Sequence, residues 1–216
     1  MTYRALLLAS LPFLACVANA AVYSSQSNYL SSSTSLGLIA DFEGIIHDAG
    51  ISFLSDSYVV GEKNVTISSP SELMVIGYRL LGGGTAGLVT QGSNDTLTIS
   101  FANAVDSVGF DYFVGSRWGT GPLSIQVYGA NDELLYDSGA LAAPVRVQPN
   151  TGDPDSPPPL FFGIDGVGEI HKVNVGGAGV NAAGVDNIYT TVPEPSAAAS
   201  IGLLGACALV RRRRVK

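Results

Sequence analysis

Leu97-Thr98-Ile99-Ser100-Phe101 alternates apolar and polar side chains without a break, and the same period recurs down the chain. Val108, Phe110 and Tyr112 share one face of the next run, with Gly109 and Asp111 on the other. Leu123-Ser124-Ile125-Gln126-Val127 repeats the pattern, and Val173 and Val175 carry it further on. Successive side chains of a strand point to opposite faces, so a period of two marks strands with one face in a core. No long window between residues 21 and 191 keeps the i, i+3, i+4 stripe of a helix, and 26 glycines, mostly in turn positions, oppose one. The alternation predicts an all-β domain over 36–190, an antiparallel two-sheet β-sandwich with Leu97, Ile99, Phe101, Val108, Phe110, Ile125, Val127 and Val173 in its core. Ala102-Asn103-Ala104 reads as the connection between two of these strands, and Gly129-Ala130-Asn131-Asp132 as a turn. Residues 21–35, rich in Ser and Asn, read as a flexible lead-in. Residues 82–87 and 148–159 read as long loops.

The segments flanking this domain have a different composition. Arg4 precedes fourteen uncharged residues, 5–18, and Ala18-Asn19-Ala20 then supplies small residues at both positions a signal peptidase must accept. Residues 1–20 therefore read as a secretory signal cleaved after Ala20. A rival lipoprotein reading at Cys16 is opposed by Phe13, a poor occupant of the first position of that motif. On the other side, Val192-Pro193-Glu194-Pro195 leads into uncharged residues 196–210 and then Arg211, Arg212, Arg213 and Arg214. Pro195 suits the first turn of a helix. Residues 196–210 would span roughly 22 Å as a helix, short of the ~30 Å hydrocarbon core, and long arginine stems extend that span. Ala and Gly dominate the segment, which makes it a weak, detachable transmembrane anchor. The arginine cluster stays cytoplasmic and puts the preceding domain outside. The blander alternative is a buried basic-ended helix or a nucleic-acid tail, and neither explains four arginines on an acidic chain.

Taken in order, these three parts resemble the PEP-CTERM sorting tail of Gram-negative bacteria, over residues 192–216. The resemblance implies processing near Pro193-Glu194-Pro195 by an exosortase, a membrane cysteine enzyme. It also implies initial anchoring in the inner membrane, and a destination in the cell envelope or extracellular matrix. In that reading Val192, Pro193, Glu194, Pro195 and the four arginines are recognition elements.

Both cysteines, Cys16 and Cys207, lie in the flanking segments, so the predicted domain carries no disulfide. Of the 11 basic residues, only 5 fall within 21–195, against all 18 acidic ones, a formal charge of −13 for that region. Such a surface repels nucleic acid and anionic lipid, and suits neutral polysaccharide, divalent cations or plain solubility.

A second, weaker resemblance concerns the domain. Asp41-Phe42-Glu43-Gly44, Val108-Gly109-Phe110-Asp111-Tyr112, Ile125-Gln126-Val127-Tyr128-Gly129, Phe161-Phe162-Gly163-Ile164 and Gly184-Val185-Asp186-Asn187-Ile188 are similar in order to jelly-roll domains of carbohydrate-binding modules. In such modules a structural calcium joins the first and last strands. The resemblance implies that role for Asp41, Glu43 and Asp186, whose hard oxygens suit calcium. The plainer reading is that Glu43 and Asp186 accept backbone hydrogen bonds at strand ends. Trp118, the single tryptophan, stands beside Arg117 in a glycine-flanked run and could stack on a sugar. It could equally cover the edge of the core.

Candidate catalytic residues are lacking. The chain has two histidines, His47 and His171, no Gly-x-Ser-x-Gly elbow and no cysteine in the domain. Residues 82–87 lack the Lys-Ser/Thr that completes a phosphate loop. His171 alternates with Val173 and Val175, which would put it on their inward face, and it reads as a satisfied structural histidine. Asn64-Val65-Thr66 and Asn94-Asp95-Thr96 match glycosylation acceptors, which the bacterial origin implied by the tail resemblance makes coincidental. The expected function is an exported, non-catalytic envelope or matrix component, with a glycan-binding or structural sandwich. The alternative is a secreted carbohydrate-active enzyme working through two carboxylates.

Overall fold

The computed structural model describes residues 20–33, 35–43, 45, 51–60, 65–77, 86–115, 121–144, 158–180 and 182–191. The tail expected to direct sorting (192–216), the expected signal segment up to residue 19, and Arg117 and Trp118 lie outside the described residues. Among the described residues no helix is long and apolar enough to cross a membrane.

Among the described residues twelve strands and one α-helix follow in chain order. They are β1 (Ala21–Tyr23), α1 (Gln26–Ser32), β2 (Leu36–Ala40), β3 (Ile51–Phe53), β4 (Ser57–Val60), β5 (Val65–Ser68), β6 (Leu73–Ile76) and β7 (Gly87–Thr90). Then come β8 (Leu97–Val114), β9 (Ser124–Tyr128), β10 (Leu134–Asp137), β11 (Leu160–Gly176) and β12 (Ala183–Thr191). All pairings are antiparallel and all strands belong to one hydrogen-bonded sheet.

Two strands set the architecture. β8 and β11 run for 18 and 17 residues, roughly three times the usual strand. Both bend. In β8 the alternation breaks at exposed Ala102 and Asn103. In β11 the register with β8 is interrupted between Asp165 and Ile170, where Gly166 and Gly168 take φ of 68° and 103°. Such left-handed conformations are open to glycine without steric cost. Each long strand thus serves two layers. The first layer runs β4–β5–β8–β11–β9–β10 and uses residues 97–101 of β8 and 172–176 of β11. The second runs β1–β11–β8–β12–β7–β6–β3 and uses residues 160–165 of β11 and 107–114 of β8, with β2 on the far part of β12.

One core joins the layers. Leu97, Ile99, Ile125, Val127 and Val173 of the first pack in a single cluster with Val108, Phe110, Phe162, Ile164 and Val185 of the second. All eight residues predicted for the core are buried. The turn predicted at 129–132 is a short 3-10 turn with Asn131 and Asp132 at positive φ, leading into β10.

Three expectations are corrected. Ala102-Asn103-Ala104 is a bend inside one continuous strand and not a connection, because the ladder with β11 resumes on both sides of it. The two sheets are correspondingly one folded sheet, continuous through its two bent strands. His171 does not share the inward face of Val173: a second register break sets Ile170 into the core and leaves His171 half-buried.

The lead-in also differs from expectation. Residues 21–32 form β1 and α1, and Tyr29 of α1 is fully buried. No apolar stripe supports this helix; one side chain does. The Tyr29 ring lies on the outer face of the second layer over Gly109 and Gly163, which are register partners. A Cβ on either glycine would come within 2.6 Å of that ring. Tyr23 and Phe161 flank it, each with ring centroids 5.5 Å away. The glycine pair is a seat that any larger residue would fill.

Burial pushes the Tyr29 hydroxyl above its ordinary pKa of 10.0, and burial also raises Tyr112 and Tyr189. A raised folded-state value means that this stabilising contribution is complete below the unfolded pKa, about 10, and is lost as pH rises beyond it. Denaturant midpoints are therefore expected to fall above about pH 10, and Tyr29→Phe is expected to fall less steeply than the parent. Identical slopes would show that Tyr29 ionisation does not contribute.

Candidate functional site

Of the carboxylates singled out in the sequence, Asp186 stands beside Asp111 on the outer face of the second layer, at a bulge in β12. Register with β8 is kept from Ala183 to Asp186 and resumes, shifted, at Tyr189. Asn187, at φ 47°, is the inserted residue. The bulge lets Val185 and Ile188 both face the core while Asp186 faces outward. Asp186 stands opposite Asp111 in the ladder and is only 1% exposed. Asn187 ties the two acids together. Its side-chain amide donates to Asp111 Oδ2 at 2.9 Å and to Asp186 Oδ2 at 3.2 Å, and its backbone N–H donates to Asp186 Oδ1 at 2.7 Å. Asp41, exposed, follows Ala40, which pairs with Ile188. Burial first, then the charge of Asp111 and more weakly those of Asp186 and Asp41, raise the Tyr189 hydroxyl pKa against a hydrogen bond from Gln26.

Glu43 behaves differently. It is exposed, and its Oε1 accepts the Ala86 N–H at 2.8 Å. Both Glu43 and Asp186 thus accept backbone N–H groups, the plainer of the two roles weighed for them. Among the described residues no group of three or more His, Cys, Asp or Glu is placed to hold a metal. Ala20, the expected cleavage position, is exposed and immediately precedes β1, whereas Ala18 lies outside the described residues. Arg117 and Trp118, expected to stack on a sugar, and Val192, Pro193, Glu194, Pro195, Arg211, Arg212, Arg213 and Arg214, expected to direct sorting, lie outside them too.

A second site was not singled out in the sequence. The outward positions of the first layer are polar: Thr98 on β8, Lys172 and Asn174 on β11, and Ser124, Gln126 and Tyr128 on β9. They are cross-linked. Thr98 Oγ1 donates to Asn174 Oδ1 at 3.0 Å, and the Tyr128 hydroxyl donates to Gln126 Oε1 at 2.8 Å. Gln126 Nε2 donates to Asp137 Oδ2 at 2.9 Å. That bond, and then one from the Gly139 N–H, hold the Asp137 carboxyl below its ordinary pKa. The Lys172 ammonium pairs with Asp132 and sits 4.6 Å from the Tyr128 ring centroid.

At the rim of this face is a groove of about 430 Å³ lined by Asn94, Thr96, Ser124, Gln126, Asn174 and Gly176. Its wall is two loops latched together. The Asn94 N–H donates to the Val180 carbonyl at 2.8 Å, and the Gly179 N–H donates to Asn94 Oδ1 at 2.6 Å. Chemically the groove offers amides and hydroxyls, which donate and accept hydrogen bonds but supply no nucleophile or acid–base pair. The one sequence signal for it was Asn94-Asp95-Thr96, read only as a chance glycosylation acceptor.

No family model matches the chain, and no curated protein does. Among solved structures it is similar to the K2 cleaved adhesin domain of Lys-gingipain. The identity is 13% and the TM-score 0.32, over 80% of this chain and 100% of that one. It is also similar to the enzymatically active domain of tailspike protein 4 from bacteriophage CBA120. There the identity is 14% and the TM-score 0.29, over 72% of this chain and 21% of that one. Scores this low carry no argument about activity.

Proposed function

We propose that this chain is an exported, non-catalytic component of the cell envelope or extracellular matrix of a Gram-negative bacterium. Its β-domain, which resembles a jelly roll in sequence, serves structurally or binds glycan. The observation that carries the reading is the ordered tail: Val192-Pro193-Glu194-Pro195, the uncharged residues 196–210, and Arg211 to Arg214. The signal-like segment ending at Ala20 supports it from the other side. Together they make signal peptidase and an exosortase-type enzyme the processing partners, and the inner membrane the initial anchor.

The fold supports the reading in two ways. A cysteine-free domain held by one shared apolar core does not depend on the redox state of its compartment. The facing acids Asp111 and Asp186 are bridged by Asn187, and Asp186 is buried. That is the arrangement of a bulge anchor, and a glycosidase pair needs both acids open to the sugar. The reading does not require calcium, since Glu43 and Asp186 already accept backbone N–H groups.

Removing Arg211, Arg212, Arg213 and Arg214 tests it. In the parent, the mature protein is expected to begin after Ala20 and to end near Pro193-Glu194-Pro195 by mass spectrometry. Without the arginines, the chain is expected to be released or misoriented, because the basic stop holds the topology. If the truncated chain fractionates and is processed like the parent, the sorting reading fails.

A further inference from the structure

We propose that the groove at the rim of the first layer is a binding site for a neutral polysaccharide. The proposal rests on the exported-module reading above and gives that module a ligand class and a location.

Charge narrows the ligand. None of the residues lining the groove is ionisable. A phosphate or carboxylate entering it would give up water with no cation to replace it. The formal −13 of residues 21–195 repels such ligands further. Sugar hydroxyls both donate and accept, which matches a lining of amides and hydroxyls. The open groups are also held in place. Asn174 Oδ1 is occupied by Thr98 and Asn94 Oδ1 by the Gly179 N–H. The two amide nitrogens therefore have fixed orientations, and neither has a partner among the described residues. They present two fixed donors, with the Thr96 and Ser124 hydroxyls beside them.

Shape separates the groove from an ordinary wet sheet face. The outward side of an antiparallel sheet is polar by default, but it does not by default carry a walled concavity. Here Asn94 takes φ of 63° so that its loop can latch to the 177–180 turn. Gly176 allows the close approach: a Cβ there would lie 3.0 Å from the Asp95 carbonyl oxygen and 3.1 Å from Thr96. A wall built before the ligand arrives lowers the ordering cost of binding. The volume of about 430 Å³ falls within the range of roughly 300–1,000 Å³ usual for ligand sites.

The test uses the full-length chain in mild detergent, titrated with neutral hexasaccharides (glucan, mannan, galactan, xylan) and with oligogalacturonate. At least one neutral hexasaccharide is expected to bind and oligogalacturonate is not. Ala178→Trp fills the groove from an exposed loop position and is expected to weaken binding by about tenfold or more. Asn174→Ala removes one donor and is expected to cost about fivefold. Binding by none of the neutral sugars, equal binding of the uronate, or unchanged binding by Ala178→Trp would each overturn the proposal. If Trp118→Ala abolishes binding and Ala178→Trp does not, the sugar site is elsewhere, while the exported-module reading stands. Fractionation of the same variants reports on sorting alone, so the two failures are distinguishable.

Discussion

Replacing Tyr29 with alanine is expected to lower the stability of the domain by about 3–5 kcal/mol, the usual cost of deleting a buried aromatic ring. For a domain of this size that is a fall in Tm of at least about 6 °C. The reason is geometric. The ring fills the seat above Gly109 and Gly163 and bridges Tyr23 to Phe161. Without it, α1 keeps no other buried residue and should detach, so the amides of residues 26–32 should exchange rapidly. Gly163→Val should give the same result from below, since its Cβ would sit within 2.6 Å of the ring. Tyr29→Phe should retain most of the stability at neutral pH. A Tyr29→Ala variant that melts with the parent would show that α1 is not held by this seat.

Phe110→Ala should cost a similar amount, about 3–5 kcal/mol, for a different reason. Phe110 is fully buried between the layers, 5.6 Å from the Phe162 ring centroid. β8 and β11, the strands carrying these rings, are also the two that bend between layers. A cavity there weakens the joint itself, whereas loss of Tyr29 uncovers an outer face. Val59, on β4 and 59% exposed, is the control: Val59→Ala should stay within about 0.5 kcal/mol. Equal effects at the two positions would contradict the placement of the core.

The limits of sequence reasoning are visible in particular residues. Ala102-Asn103-Ala104 looks like a connection because a bend and a turn share small, polar composition. What separates them is whether β11, distant in sequence, keeps pairing on both sides. The 26–32 segment looks like a spacer because it is rich in Ser and Asn, and only Tyr29 of its residues is buried. Its helix depends on a hollow made by Gly109 and Gly163, and a missing side chain leaves no apolar signal of its own. For Asp186 the resemblance to jelly rolls implies a calcium ligand, and the sequence does not show its neighbour. The bulge at Asn187 brings it opposite Asp111 and gives both acids a shared donor. The groove was invisible because its walls are two separate loops, and Asn94 points to Gly179 only after both are placed.

By itself the sequence determined which residues alternate and therefore which face of each strand is buried, from Leu97 to Val173. It also carried the three-part tail and the cysteine-free, acidic character of residues 21–191. These are local properties, readable from neighbours along the chain. Only the tertiary structure decided that two strands bend to serve both layers, that Tyr29 has a seat, and that Asn94 and Asn174 share a groove. Each of these depends on the register between distant segments, which is set by the packing of the whole core.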